Sequence, residues 1–231
     1  MTPGAPTRSP PVAVAGEIEM RVAGRAGGPT IEARIHAPPG ALRAVVLCHP
    51  HPLYGGSMHS PVPLVIAKRL SEVAGERVAW ARFHFRGVGS SEGEYDGGRG
   101  EADDARAIID FLRSRVPRAP VTVCGHSFGA WVGLRAAADD GSIDRVLLVA
   151  PSARSFDFEV LPPGVATSAM KKIIFIGDRD EFCGVEDAQK LAERLGAELR
   201  VFEGSDHHFL KSRRALAEFA LPVIAPEVVV P

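Results

Sequence analysis

A strand-like run followed by a helix-like run, repeated along nearly the whole chain, restricts this sequence to an α/β architecture. Ala44–Cys48, Arg77–Phe85, Val121–Cys124, Arg145–Ala150, Lys172–Ile176 and Glu198–Phe202 are short and rich in apolar and β-branched residues. Helix-length segments follow them: Pro61–Glu72, Arg99–Arg115, Phe128–Ala138, Glu186–Leu195 and Leu210–Phe219. Parallel strands need long crossovers, usually helices, so the alternation predicts a largely parallel sheet. Arg99–Arg115 shows the helical period plainly, with Ala102, Ala105, Ile108, Ile109 and Leu112 on one face. Val12–Val22 and Thr30–Ala37 flank a Gly/Pro turn over Gly24–Pro29 and predict an opening antiparallel hairpin.

At 231 residues the chain suits one α/β domain over 12–231, behind a mobile lead-in at 1–11 that carries four prolines and no apolar signal region. Hydrophobic residues make up 45% and charged residues 24%, which sets aside disorder. A formal net charge of −1 offers no electrostatic draw to nucleic acid or an anionic membrane. No apolar run reaches the roughly 20 residues of a membrane span. Cys48, Cys124 and Cys183 fit neither a disulfide framework nor a zinc pattern, so they read as buried thiols of a cytoplasmic protein. His49 and His51 lack further ligands at metal-binding spacing and read as structural or substrate-lining residues. No metal or cofactor is expected.

The pattern Gly-x-Ser-x-Gly occurs twice, at Gly89–Gly93 and at Gly125–Gly129. By chance it arises in roughly one chain of this length in ten, so context must decide. An activated serine needs a sharp strand-to-helix turn that exposes Oγ, with a helix N-terminus behind it. Val121–Cys124 leads into Ser127, and Phe128–Ala138 leads out with almost no connection. The Phe128 N–H would then face a developing oxyanion. Ser91 is followed by Gly93, Gly97, Gly98 and Gly100, which cannot open a helix, and it reads as a turn residue.

A serine of this kind needs a base and a carboxylate to orient it, following in the chain order Ser, acid, His at strand ends. Lys172–Ile176 runs into Gly177-Asp178-Arg179-Asp180-Glu181, where Asp180 is preferred because Asp178 suits a local turn bond. Glu198–Phe202 runs into Ser205-Asp206-His207-His208, where His207 is preferred because His208 adjoins the helix. A second oxyanion donor should come from the loop after Ala44–Cys48. Pro50 and Pro52 have no N–H, which leaves His51, Leu53 and Tyr54, with Leu53 or Tyr54 preferred. His84 and His126 read as packed and hydrogen-bonded, and Trp131 as core. Arg86 and Glu92 are candidates for ion pairs that brace the elbow.

Two longer motifs accompany the elbow: His49-Pro50-His51-Pro52-Leu53-Tyr54-Gly55-Gly56-Ser57-Met58 and Phe83-His84-Phe85-Arg86-Gly87-Val88-Gly89-Ser90-Ser91-Glu92-Gly93. With them, the chain from about Ile18 to Phe219 resembles small bacterial α/β-hydrolases of the dienelactone-hydrolase-like type. The resemblance implies a mostly parallel sheet of about eight strands with helices on both faces, and hydrolysis of carboxylic esters or thioesters. Dienelactone hydrolases proper use a cysteine nucleophile; Ser127 stands at that position here, so a dienelactone substrate is not implied. The segment Pro151–Met170 is too short for a cap domain but could form an apolar flap. Phe156, Phe158, Tyr54 and Trp131 are candidate pocket walls, although Trp131, four residues past Ser127 on a helix, reads first as core. The expected partner is a small-molecule ester or thioester. Val228-Val229-Val230 is a candidate homodimer contact.

Overall fold

The computed structural model describes residues 12–138, 140–158 and 164–228. The expected lead-in at 1–11 therefore lies outside the described residues, as do Leu161, Pro162 and Pro163 of the expected flap and Val229 and Val230 of the expected contact. Eight strands form one sheet: β1 (Ile18–Val22), β2 (Ile31–His36), β3 (Arg43–Cys48), β4 (Val78–Phe83), β5 (Val121–His126), β6 (Ile143–Val149), β7 (Lys171–Gly177) and β8 (Glu198–Phe202). Their order is β1-β2-β4-β3-β5-β6-β7-β8. Only β2 runs against the others, pairing antiparallel with both β1 and β4. This is the mostly parallel α/β-hydrolase sheet.

Among the described residues, five α-helices pack on this sheet: α1 (Pro61–Val73), α2 (Arg99–Arg115), α3 (Phe128–Ala138), α4 (Val185–Leu195) and α5 (Arg213–Ile224). Every residue of β3, β4 and β5 is buried, which is why these strands read as continuous apolar runs rather than alternating ones. Alternate residues still serve different layers. Ala44, Val46 and Cys48 join the cluster that holds α2 and α3, while Val45 and Leu47 join the cluster that holds α1 and α5. Each large side chain so buried contributes about 1.5–3 kcal/mol, and those contributions hold both helix layers to the sheet.

The chain leaves β3 toward one face, through α1, and leaves β5 toward the other, through α3. A crevice opens at the C-terminal ends of neighbouring strands whose connections diverge in this way, the usual ligand position in such sheets. The loop after β3 and the turn after β5 meet there.

Two expected elements are corrected. The strand expected from Val12 begins only at Ile18. Gly16 adopts φ 84° and the Glu17 N–H bonds back to the Val14 carbonyl, making a turn that sends the Glu17 carboxylate to the fully buried Arg82 guanidinium at 2.6 Å. The last helix was expected over Leu210–Phe219 but spans Arg213–Ile224. Turns at Asp206–Ser212 consume the first residues, and the helix runs on past Pro222, which lacks the N–H that would bond the Glu218 carbonyl and so weakens the final turn.

At the opposite end of the sheet from the crevice, the Arg43 side chain, 2% exposed, pairs with Asp144 and with Glu227, each at 2.7 Å. It also donates to Thr122 Oγ1, whose own hydroxyl donates to the Ile224 carbonyl. Cys48, Cys124 and Cys183 are free and buried. No helix among the described residues is long and apolar enough to cross a membrane.

Candidate active site

β5 ends at His126 and α3 begins at Phe128, so Ser127 alone makes the turn, at φ 56°. A non-glycine residue in this left-handed region is strained, and the turn is held by bonds on both sides. The Ser127 N–H donates to the Val149 carbonyl, and the Ser127 carbonyl accepts from Ala130. The flanking glycines are required by space. A Cβ on Gly125 would lie 2.1 Å from the Gly129 carbonyl oxygen, and one on Gly129 would lie 2.5 Å from the carbonyl oxygens of Cys48 and His49.

Ser127 Oγ lies 3.0 Å from His207 Nε2, and His207 Nδ1 lies 2.9 Å from Asp180 Oδ2. The other carboxylate oxygen of Asp180 accepts from the N–H groups of Phe182 and Cys183, which fixes its plane. With Nδ1–H donating to Asp180, a neutral imidazole presents Nε2 to Ser127 as an acceptor. All three residues are buried. Asp178 is exposed on the far side of the turn and bonds through its N–H to Phe202, while His208 is exposed and stands edge-on to His207. His126 ties the elbow to the histidine loop, because its Nε2 donates to the His207 carbonyl at 2.9 Å. Burial holds the His126 pKa down to about 3, so the ring stays neutral there.

The loop after β3 is set by His49. Its Nδ1–H donates to the Pro50 carbonyl at 2.6 Å, and its Nε2 accepts from the Phe85 N–H at 3.0 Å. Burial lowers its pKa to about 3, which keeps Nε2 free to accept. Of the three open donors in this loop, the preferred two point elsewhere. The Leu53 N–H donates to His51 Nδ1 and the Tyr54 N–H to the His51 carbonyl, in a short 3₁₀ turn with both side chains exposed. The remaining donor is the His51 N–H, in the same peptide plane as the Pro50 carbonyl that His49 anchors. The Phe128 N–H stands at the start of α3, as the elbow requires.

A cavity of about 1110 Å³ opens over Ser127. Small-molecule sites usually measure about 300–1,000 Å³, so there is room for more than a short acyl group. His51, Tyr54, Tyr95, Trp131, Phe156 and Phe182 form much of its wall, and among the described residues neither Lys nor Arg lines it. Phe156 stacks between the His51 and Trp131 rings. Phe158 is corrected: it is 3% exposed and packs into the core rather than lining this cavity. Trp131, expected in the core, packs against it on one side and lines the cavity on the other. Arg86 and Glu92 do not reach the elbow. Arg86 pairs with Asp104 of α2, and Glu92 pairs with Arg21 of β1. The described part of Pro151–Met170 forms turns only. Among the described residues, no three His, Cys, Asp or Glu are grouped to hold a metal ion. Sequence reasoning missed Ser152, whose buried Oγ lies 3.0 Å from Ser127 Oγ. A lone loop serine carries no signal that would have singled it out.

Comparison with known proteins matches residues 41–172 to the family described as serine aminopeptidase, S33. An uncharacterised protein of Rickettsia prowazekii is 33% identical over 182 residues, 74% of this chain and 73% of that one. Among solved structures, a lidless α/β serine hydrolase from Xanthomonas campestris is 26% identical, with a TM-score of 0.78 over 96% of this chain and 99% of that one. An α/β serine hydrolase homologue from Coxiella burnetii is 29% identical, with a TM-score of 0.79 over 93% and 99%. A Pyrococcus furiosus esterase, 20% identical with a TM-score of 0.71 over 90% and 92%, shares the fold.

Proposed function

The chain belongs to the serine aminopeptidase S33 family of α/β hydrolases, and from that premise we propose that it cleaves small to medium carboxylic esters or thioesters through an acyl-enzyme on Ser127. The observation that carries this reading is the unbroken hydrogen-bonded chain from Asp180 through His207 to a serine held at φ 56°. His207 takes the Ser127 proton as Oγ attacks the substrate carbonyl, and Asp180 stabilises the imidazolium. The N–H groups of Phe128 and His51 hold the oxyanion, each worth about 10²–10³ in rate. His207 then protonates the departing alcohol or thiol. A water, deprotonated by the same ring, releases the acid and restores Ser127. This chemistry calls on no metal or cofactor.

The aromatic wall without Lys or Arg favours neutral, apolar acyl groups, since an anionic substrate would be desolvated there without a counter-charge. The partner on this reading is a neutral small molecule, and the free, buried thiols support a cytoplasmic setting.

The test is labelling with a fluorophosphonate probe, alongside turnover of p-nitrophenyl acetate and butyrate and of aminoacyl anilides. Wild type and Ser91→Ala should label and turn over esters; Ser127→Ala and His207→Ala should not. Faster cleavage of the anilides would move the substrate class to peptides. A folded wild type that neither labels nor turns over any of them would make this a binding protein.

A further inference from the structure

We propose that Ser152 is a further catalytic residue, whose hydroxyl donates a hydrogen bond to the nucleophilic oxygen of Ser127 and stabilises it as it becomes an alkoxide. The inference rests on the serine-hydrolase reading above.

The two hydroxyl oxygens lie 3.0 Å apart, and distance alone does not say which one donates. Counting protons does. His207 Nδ1 faces a carboxylate oxygen and carries the ring proton, so Nε2 can only accept. The single Ser127 proton therefore goes to Nε2. Ser127 Oγ has only lone pairs left to offer Ser152, and the Ser152 hydroxyl must be the donor. The nucleophile thus receives one hydrogen bond and gives one, which points its proton at the base.

The backbone supports this placement. Ala150, at the end of β6 beside the elbow, has φ 45° and is fully buried. An alanine in this left-handed region is strained and has no side-chain bond to offset the strain. The bend carries the chain directly to Ser152, 3% exposed, whose carbonyl then accepts from both Ser155 and Phe156 in a tight turn. Two strained residues on adjacent strands, Ser127 and Ala150, so bring two hydroxyls face to face in the wall of one cavity.

A hydrogen bond to a charged oxygen is stronger than one to a neutral hydroxyl. The Ser152 bond consequently gains strength as Ser127 loses its proton to His207, before the new bond to carbon is complete. When Ser127 Oγ later leaves the acyl-enzyme, the same donor meets the same developing charge. Water attack leaves Ser127 Oγ an ester oxygen and benefits least, so the contribution falls mainly on acylation.

Fluorophosphonate inactivation reads this step alone, because it requires attack by Ser127 and no deacylation. The experiment measures its second-order rate, with kcat and KM for p-nitrophenyl butyrate, in wild type, Ser152→Ala and the isosteric pair Ser152→Thr and Ser152→Val. Thermal melts establish that each is folded. Loss of one hydrogen bond to the transition state is expected to slow inactivation about tenfold in Ser152→Ala, with KM little changed. Ser152→Thr should outpace Ser152→Val by a similar factor, since the two differ only in the hydroxyl, and this pair decides the matter should the alanine variant fail to fold. Equal inactivation rates for threonine and valine, or for folded alanine and wild type, would overturn the role of Ser152. A wild type that does not react at all would instead remove the serine-hydrolase reading on which it rests.

Discussion

Gly89–Gly93 and Gly125–Gly129 share one spacing of glycine and serine, yet the fold puts them to opposite uses. Ser91 is sealed into a loop. Its Oγ donates to the His84 carbonyl at 2.8 Å and accepts from the Glu32 N–H at 2.9 Å, so both capacities are taken by backbone. Ser127 has its Oγ between two other side chains in the wall of a cavity. The first arrangement satisfies a hydroxyl, and the second keeps one poised. What separates them is the sequence that follows: a helix after Ser127, and glycines with positive φ at 93, 97 and 98 after Ser91. A short pattern states which residues are present, while the next ten residues state whether the backbone can be strained.

The comparison breaks most sharply at the partners that only Ser127 has. Asp180→Asn should lower kcat by about 10⁴-fold by favouring the wrong histidine tautomer, with the melting curve close to wild type. Steady-state kinetics on p-nitrophenyl butyrate measures it, and a loss below tenfold would detach Asp180 from the mechanism.

The glycines sharpen the contrast next. Gly129→Ala should cost more than about 3 kcal/mol, because its Cβ would meet two fixed carbonyl oxygens of the β3 end. Gly93→Ala, at φ 78° with Pro29 Cβ 3.2 Å away, should cost only about 1–2 kcal/mol. Urea denaturation of the two variants would show equal losses if spacing alone governed the glycines.

Acid probes both regions together, since the elbow holds His126 and the loop leading to Ser91 leans on His49 through Phe85. Both histidines have folded-state pKa values pushed down by burial to about 3. The unfolded chain takes up these protons below about pH 6.5 while the folded chain does not, so stability is full above that value and falls on acidification. At pH 5 each should have cost about 2 kcal/mol. Denaturation midpoints followed from pH 7 to pH 5 would show the slope, and His126→Leu should flatten it by about half. A level curve would mean that the rings are protonated when folded.

The smallest effect on activity belongs to Ser91→Ala, whose cost is confined to stability, about 1–3 kcal/mol for one buried N–H and one carbonyl left unpaired. Ester turnover per folded molecule should hold. A drop in turnover with unchanged stability would reverse the roles given to the two serines.

The parts legible in the sequence are those where residue type and backbone agree. Asp180 and His207 stand out because each follows a strand by a few residues, and the strands are apolar enough to locate. The parts not legible depend on where a backbone group points. Eliminating Pro50 and Pro52 as donors is sound chemistry, but the 3₁₀ turn at Pro52–Tyr54 directs the next two N–H groups back at His51, which no composition announces. Phe156 and Phe158 differ only in the side of a turn they occupy, and one faces the cavity while the other faces the core. Ser152 is hidden for the same reason: the bend at Ala150 that delivers it uses a residue with no preference for that conformation.

The Arg43 cluster has a consequence for the order in which the fold can close. This guanidinium sits on a central strand, yet one of its two carboxylates, Glu227, lies 184 residues further along the chain, beyond α5. Such a contact must first meet the entropy of closing a loop around nearly the whole domain, so it joins only a sheet whose other strands are already in place. Asp144 balances the charge before then, and Glu227 adds the acceptor that the Arg43 Nε–H otherwise lacks. The segment after α5 thus works as a latch, engaging last and holding the two ends of the domain to one another.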